Sequence, residues 1–261
     1  MPSQIAAQLY TLREFTKTPA DIVKTLARVK KIGYDAVQLS ALGPIDPAEL
    51  GRILKGEGLS CVATHTSMDR LKNDTQKVID EHGLWGCSLT AIGGFFPKAE
   101  DFKLALWQKF IADFNEIAKK FVGSGVSIGY HNHSHELARV DPAPGGKTAM
   151  ALLLEGFSRD VWMEIDTYWI AHGGGDPSAY IRRCKGRIPA VHFKDMGITP
   201  DMKQFYAEVG EGNLDWPGIL AACEETGVQY AIVEQDTCTR DSLEAVANSF
   251  KNMVAMGLPV E

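Results

Sequence analysis

The sequence has no CxxC pair. Its five cysteines, Cys61, Cys87, Cys184, Cys223 and Cys238, are an odd number and stand far apart. That argues against a disulfide framework or a thiolate zinc site, and it fits a reduced, cytoplasmic setting. There is no block of Lys or Arg, and 27 basic residues against 33 acidic ones leave a net charge of −6. A nucleic-acid or anionic-membrane partner would want the opposite balance. No apolar run approaches the ~20 residues of a spanning helix. The opening MPSQIAAQLYTLREF lacks a basic stretch followed by a long apolar one, so no signal peptide is read there. No low-complexity linker divides the chain, and one domain over residues 1–261 is expected.

What is present is a repeated phrase. A helical pattern ends at a glycine and a short apolar run follows, as in KKIGYDAVQL, KGEGLSCVAT, KFVGSGVSIGY and EETGVQYAIVE. Glycine suits the left-handed position just past a helix, and the apolar run reads as a buried strand. Helix starts carry their own marks. Thr18–Pro19, Asp46–Pro47 and Asp176–Pro177 each pair a capping side chain with a proline suited to the first turn, and LDWPGIL at Leu214 looks like another start. Strands are read at 5–10, 36–39, 60–65, 88–94, 126–131, 161–166, 188–193 and 231–235, each followed by a helical segment. Eight such units in about 250 residues is the size of a (β/α)8 TIM barrel. A doubly wound open sheet would usually carry GxGxxG after its first strand, and here QLYTLREF stands in that place.

Barrel active sites sit at the carboxyl ends of the strands. Strand five ends in YHNH, six in EID, seven in VHFKD and eight in VEQD. His131, Asp166, His192 and Glu234 would therefore surround one point. Two imidazoles and two carboxylates suit one divalent ion, Mn²⁺ first, with Mg²⁺, Co²⁺, Zn²⁺ or Fe²⁺ as further choices. Strand alternation puts His133 on the face of His131, Glu164 with Asp166, Lys194 with His192 and Asp236 with Glu234. Ionisable pairs in a barrel mouth are costly unless they bind something. His133 is thus a substitute ligand or a substrate contact. His65, ending strand three, is either site wall or polar core. Three histidines fall within five residues, and His135, the third, is read as a loop residue; Glu136 could reach back to a ligand. His172 is read as part of a solvated glycine-rich loop and His82 as a surface residue. Trp169 and Tyr168 could stack on a sugar face, and Phe193 could do so or belong to the core.

The run GYHNHSHE … MEIDTYWIAHGGGDP … VHFKDM … GEGNLDWPGIL … IVEQD resembles the xylose isomerase-like superfamily of barrels. That group includes ketose 3-epimerases, hydroxypyruvate isomerase, inosose dehydratase and abasic-site endonucleases. In its epimerase-like members, a divalent metal is held by Glu, Asp, His and Glu on strands five to eight. Asp166, His192 and Glu234 match the last three, whereas strand five here ends in His131. Trp169 also stands where those epimerases carry a histidine. The endonuclease reading is weaker, because those enzymes need more metal ligands and a basic DNA surface.

The resemblance implies a sugar isomerase or epimerase acting on a keto-sugar through an enediolate, with Glu234 as base and Lys194 as a donor to developing negative charge. A histidine that binds metal through one nitrogen is a poor base, so its presence on strand five also opens a dehydratase or lyase outcome. A barrel that binds metal or sugar without catalysis is the alternative of another class. The expected partner is a small sugar. GEGNLD has no Lys or Arg to neutralise phosphate, which favours an unphosphorylated one. Homo-oligomer formation stays open.

Overall fold

The structure is a computed structural model that describes residues 1–140 and 145–260. The strands are β1 (Gln4–Gln8), β2 (Ala36–Leu39), β3 (Ser60–His65), β4 (Leu89–Ile92), β5 (Ser127–His131), β6 (Trp162–Asp166), β7 (Ala190–Phe193), β8 (Asp195–Ile198), β9 (Gln204–Ala207) and β10 (Tyr230–Val233). All but β8 and β9 close into one parallel barrel, each strand beside its neighbour in sequence and β10 beside β1. The (β/α)8 TIM barrel read from the sequence is the fold observed. One addition escaped that reading. β8 and β9 form an antiparallel hairpin in the connection that follows β7.

The helices are α1 (Pro19–Ile32), α2 (Pro47–Glu57), α3 (Met68–Asn73), α4 (Thr75–Trp85), α5 (Leu104–Lys119), α6 (Ala149–Gly156), α7 (Thr167–His172), α8 (Pro177–Arg183), α9 (Trp216–Thr226) and α10 (Ser242–Ala255). Their starts follow the expected chemistry. Thr18, Asp46, Asp176 and Asp215 each accept a hydrogen bond from a first-turn amide, and proline follows within two residues. Among the described residues, no helix is long and apolar enough to cross a membrane.

The core has two layers. A large shell of Leu, Ile, Val and Phe lies between strands and helices, while Ala6, Ala36, Ala63, Ala91, Trp162, Ala190 and Ile232 form a smaller cluster of their own. Small residues dominate the second cluster because Trp162 occupies much of the space. Gly129 on β5 shows how tightly: a Cβ there would lie 2.4 Å from the Trp162 indole. His82, expected at the surface, is instead buried under this shell. Its Nε2 lies 2.9 Å from Thr64 Oγ1 and its Nδ1 2.7 Å from the Val78 carbonyl, so two partners offset the cost of burial. Phe193 is core as well, with its ring 5.1 Å from Trp216.

The loop GEGNLD, after β9, has a structural explanation. Asp195 is buried and its Oδ2 accepts from the amides of Gly210 and Gly212 and from Trp216 Nε1, while Oδ1 accepts from Leu214 N. A Cβ at Gly212 would lie 2.3 Å from that carboxylate. The glycines let the backbone wrap an internal acceptor.

Candidate active site

Strand register assembles the site. Asp166 of β6 lies opposite His192 of β7, and His131 of β5 opposite Glu164 of β6. β10 pairs with β7 up to Val233↔Phe193, and the Glu234 amide bonds the Phe193 carbonyl. Glu234 therefore leaves the barrel beside Lys194. The donor atoms of His131, Asp166, His192 and Glu234 all lie within 4.8 Å of one another. All four residues are buried.

Local structure fixes each side chain. Asp166 caps α7: its Oδ1 accepts from Trp169 N at 2.9 Å, which turns Oδ2 toward the centre. His131 Nε2 faces that Oδ2 at 3.3 Å. His192 Nδ1 lies 2.9 Å from Glu234 Oε2, and its Nε2 lies 2.7 Å from Gln38 Oε1. An amide oxygen only accepts, so Nε2 carries the hydrogen and Nδ1 is the nitrogen turned toward the cluster.

Lys194 is the fifth member. Its Nζ lies 3.4 Å from Asp166 Oδ2, 3.1 Å from Glu234 Oε2 and 2.5 Å from Asp236 Oδ2. Burial disfavours the ammonium, but these three carboxylates outweigh it and hold the Lys194 pKa above its ordinary value. Burial likewise works against ionised Glu234, and Lys194 and His192 hold it well below the carboxylate range. Burial, then the neighbouring His192, push His131 well below the usual imidazole range, so it is neutral.

A second group lies behind the first. His65 Nε2 is 2.6 Å from Glu164 Oε2, and Glu164 Oε1 is 3.3 Å from His192 Nε2. Gln8 donates to Gln38 Oε1, and Gln38 donates to Glu164 Oε1, both at 2.8 Å. His192 thus joins two rings of polar side chains. The sequence reading named His65, Glu164 and His192 separately and did not join them, and it missed Gln8 and Gln38 altogether. Both glutamines stand in otherwise apolar strand runs, AAQL and AVQL, and that was the available signal.

The remaining expected residues divide. His133 is not among the four clustered donors; its ring lies 4.8 Å from His131 and 5.1 Å from Trp169. Burial, then His131, push its pKa down to about 2. Trp169, the neighbouring Tyr168 and Tyr206 surround the Lys194 ammonium at 5.0, 6.0 and 5.2 Å. Tyr206 comes from the unexpected hairpin. Glu136, expected at the substrate, has no exposed surface: its Oε1 accepts from Tyr130 and its Oε2 from His133 N. Its carboxyl is turned into the loop rather than toward the mouth. His135 is half-buried and donates to the Phe95 carbonyl. His172 ends α7, at the exposed glycine-rich loop.

The family model for the xylose isomerase-like TIM barrel matches residues 26–253. The chain belongs to that family. A relative among characterised proteins, the rhizopine catabolism protein MocC of Rhizobium meliloti, is 23% identical over 167 residues, which is 58% of this chain and 50% of that protein. The chain thus matches about half the length of that relative. Among solved structures, a sugar phosphate isomerase/epimerase from Parabacteroides distasonis superposes with a TM-score of 0.80 at 23% identity, covering 100% of this chain and 96% of that one. An L-ribulose 3-epimerase superposes at 0.72 with 18% identity, covering 99% and 95%. At these identities the two structures show a shared fold. Within this xylose isomerase-like barrel, the buried His/Asp/Glu cluster lies at the carboxyl ends of the strands, the end at which TIM-barrel enzymes in general carry their active sites.

Proposed function

We propose that this barrel is a divalent-metal-dependent isomerase or epimerase of a keto-sugar, working through an enediolate. The observation that carries the reading is the convergence of four donor atoms from four consecutive barrel strands, all within 4.8 Å, beside a buried ammonium. The donor set fits a divalent ion. Four donor atoms within 4.8 Å of one another are close enough for a single ion to be held by all of them. His192 gives its Nε2–H to Gln38, so Nδ1 is the nitrogen an ion would take once the proton it shares with Glu234 is displaced. Charge agrees as well. Asp166, Glu164, Glu234 and Asp236 are four carboxylates facing two cations, Lys194 and His192, an imbalance that favours a dication.

His131, Asp166, His192 and Glu234 would hold the ion, with Mn²⁺ the preferred occupant. When bound, it would act as a Lewis acid on the substrate's carbonyl oxygen. The protein's own groups do the rest. Glu234 is ionised, the state a base needs to accept the proton from the carbon next to the carbonyl. Lys194 stays charged and serves as a fixed donor toward developing negative charge, rather than as a proton source. Trp169 and His133 wall the mouth and would face the sugar's CH groups.

A second reading, a dehydratase or lyase, has one specific support. Strand five ends in neutral His131 rather than in a carboxylate that could return a proton on the other face. The test is a panel of keto-sugars in D₂O with Mn²⁺, followed by NMR. Deuterium entering the carbon beside the carbonyl supports both readings, and a new sugar isomer or a dehydrated product divides them. No exchange with any ketose in the metal-loaded protein would end both.

A further inference from the structure

A second concavity opens beside the cluster, between the β2–α2 loop and α4. It has a volume near 310 Å³. Its walls are Leu39, Leu42, Ile45 and Trp85, and His65 stands in it. His65 belongs to both places, because its Nε2 bonds Glu164 behind the cluster. The cleft thus lies at the carboxyl ends of β2 and β3, on the face of the barrel that carries the cluster. Its volume falls at the lower end of small-molecule sites, about 300–1,000 Å³.

The cleft is built before anything binds. The Trp85 indole is pinned by a 2.9 Å hydrogen bond from Nε1 to the Pro47 carbonyl. The loop is held at Gly43, where a Cβ would lie 1.9 Å from the Lys17 carbonyl oxygen. Charge decides what fits. Arg70 is the only cation in the lining, and its Nη2 already donates to both oxygens of Glu81, at 2.9 and 2.8 Å. The pair carries no net charge to neutralise a phosphate or carboxylate. Leucine, isoleucine and an indole on the walls suit a ring with one apolar face.

We infer that this cleft is a binding subsite for a neutral ring substituent of the substrate, a glycosyl or aryl group carried on a hydroxyl away from the carbonyl. The inference rests on the keto-sugar reading for the reacting half alone; the cleft's own occupancy can be tested without turnover.

The turnover arm uses the Mn²⁺-loaded protein and hydrogen exchange of D-fructose, its 3-, 5- and 6-O-glucosyl derivatives and its 6-O-phenyl ether. Comparing the glucosyl and phenyl probes separates the two sources of the ring. At least one ketose substituted away from the carbonyl, at O5 or O6, should have a lower KM than fructose; the 3-O derivative, substituted beside the carbonyl, is the control. Leu42→Trp, which fills the cleft, should raise that KM by about tenfold or more while fructose kinetics move less than about twofold. Ile45→Phe is the smaller companion change in case the first disturbs folding. Parallel changes in both substrates, or none in either, would overturn the subsite. The binding arm follows the Trp85 indole N–H by ¹H–¹⁵N NMR, assigned with Trp85→Phe. Phenyl β-D-glucopyranoside or cellobiose should shift it saturably, and D-glucose should not. If no ketose exchanges, the proposed reaction fails, and this arm still decides: a saturable shift keeps the subsite, and its absence removes it.

Discussion

The Lys194 ammonium stands 3.1 Å from Glu234 Oε2, inside the ring of candidate metal ligands rather than behind it. It is the counter-ion of Asp166, Glu234 and Asp236 together. Removing one partner of a buried ionic group costs about 3–5 kcal/mol, because the other charges are left uncompensated. Lys194→Met should therefore lower the melting temperature strongly in chelator. Mn²⁺ should recover much of that loss by supplying the missing positive charge. Thermal melts of both proteins, with EDTA and with Mn²⁺, check this. An equal loss in the two conditions would make Lys194 a packing residue and weaken the case for a cation beside it.

Glu234→Gln separates ligation from proton transfer. The amide is nearly isosteric and its oxygen can still coordinate weakly, but it cannot accept a proton at neutral pH. Activity should fall about 10²–10⁴-fold, the usual worth of a general base. Metal content should fall much less. Matched losses of metal and activity would leave Glu234 as a ligand alone.

His131→Glu places a second carboxylate at the end of strand five, opposite Glu164 in register. If neutral His131 steers the reaction toward elimination, this variant should exchange hydrogen at two carbons and lose dehydrated product. Deuterium incorporation into substrate and product, at matched metal content, reads the outcome. Identical patterns in variant and wild type would remove position 131 from control of the enediolate's fate.

The barrel was legible because its signals are local. Capping residues, prolines in first turns and glycines past helix ends recur with each βα unit, and each acts within a few residues of itself. The four-residue polar cluster was legible for a related reason. Strand ends are marked by the switch from apolar to polar residues, and parallel register then brings those ends together. The hairpin Asp195–Ala207 was hidden because its strands, DMGI and QFYA, are short and only half-buried, without the alternation that marks a strand. Its consequence, Tyr206 beside Lys194, was hidden with it. His82 was misread because its burial depends on Thr64, which comes from another element. The orientation of Glu136 also depended on a distant contact, the link to Phe95 through Tyr130 and His135.

That link makes Glu136 the basis of a pH prediction. The Phe95 carbonyl can only accept, so His135 Nε2 carries the hydrogen and its Nδ1 is bare. Nδ1 faces Glu136 Oε2 at 3.4 Å, a contact that favours a protonated carboxyl. Burial agrees, raising the Glu136 pKa from 4.5 to about 8. An acid whose pKa is raised on folding holds an extra proton in the native state between those two values. Its stabilising contribution is complete below about pH 4.5 and is lost as pH rises through about 8. Glu136→Gln supplies a permanent amide donor in the same space. The stability difference between variant and wild type should therefore move in the variant's favour across that window, by at most about 1.4 kcal/mol per pH unit. Comparing the two proteins cancels Asp166 and Asp236, whose pKa values burial also raises. Urea unfolding at half-unit pH steps gives the difference directly. A difference that stays flat from pH 5 to 8 would mean that Glu136 is ionised in the folded protein, and that the loop carrying His133 is held by a charge rather than by a neutral acid.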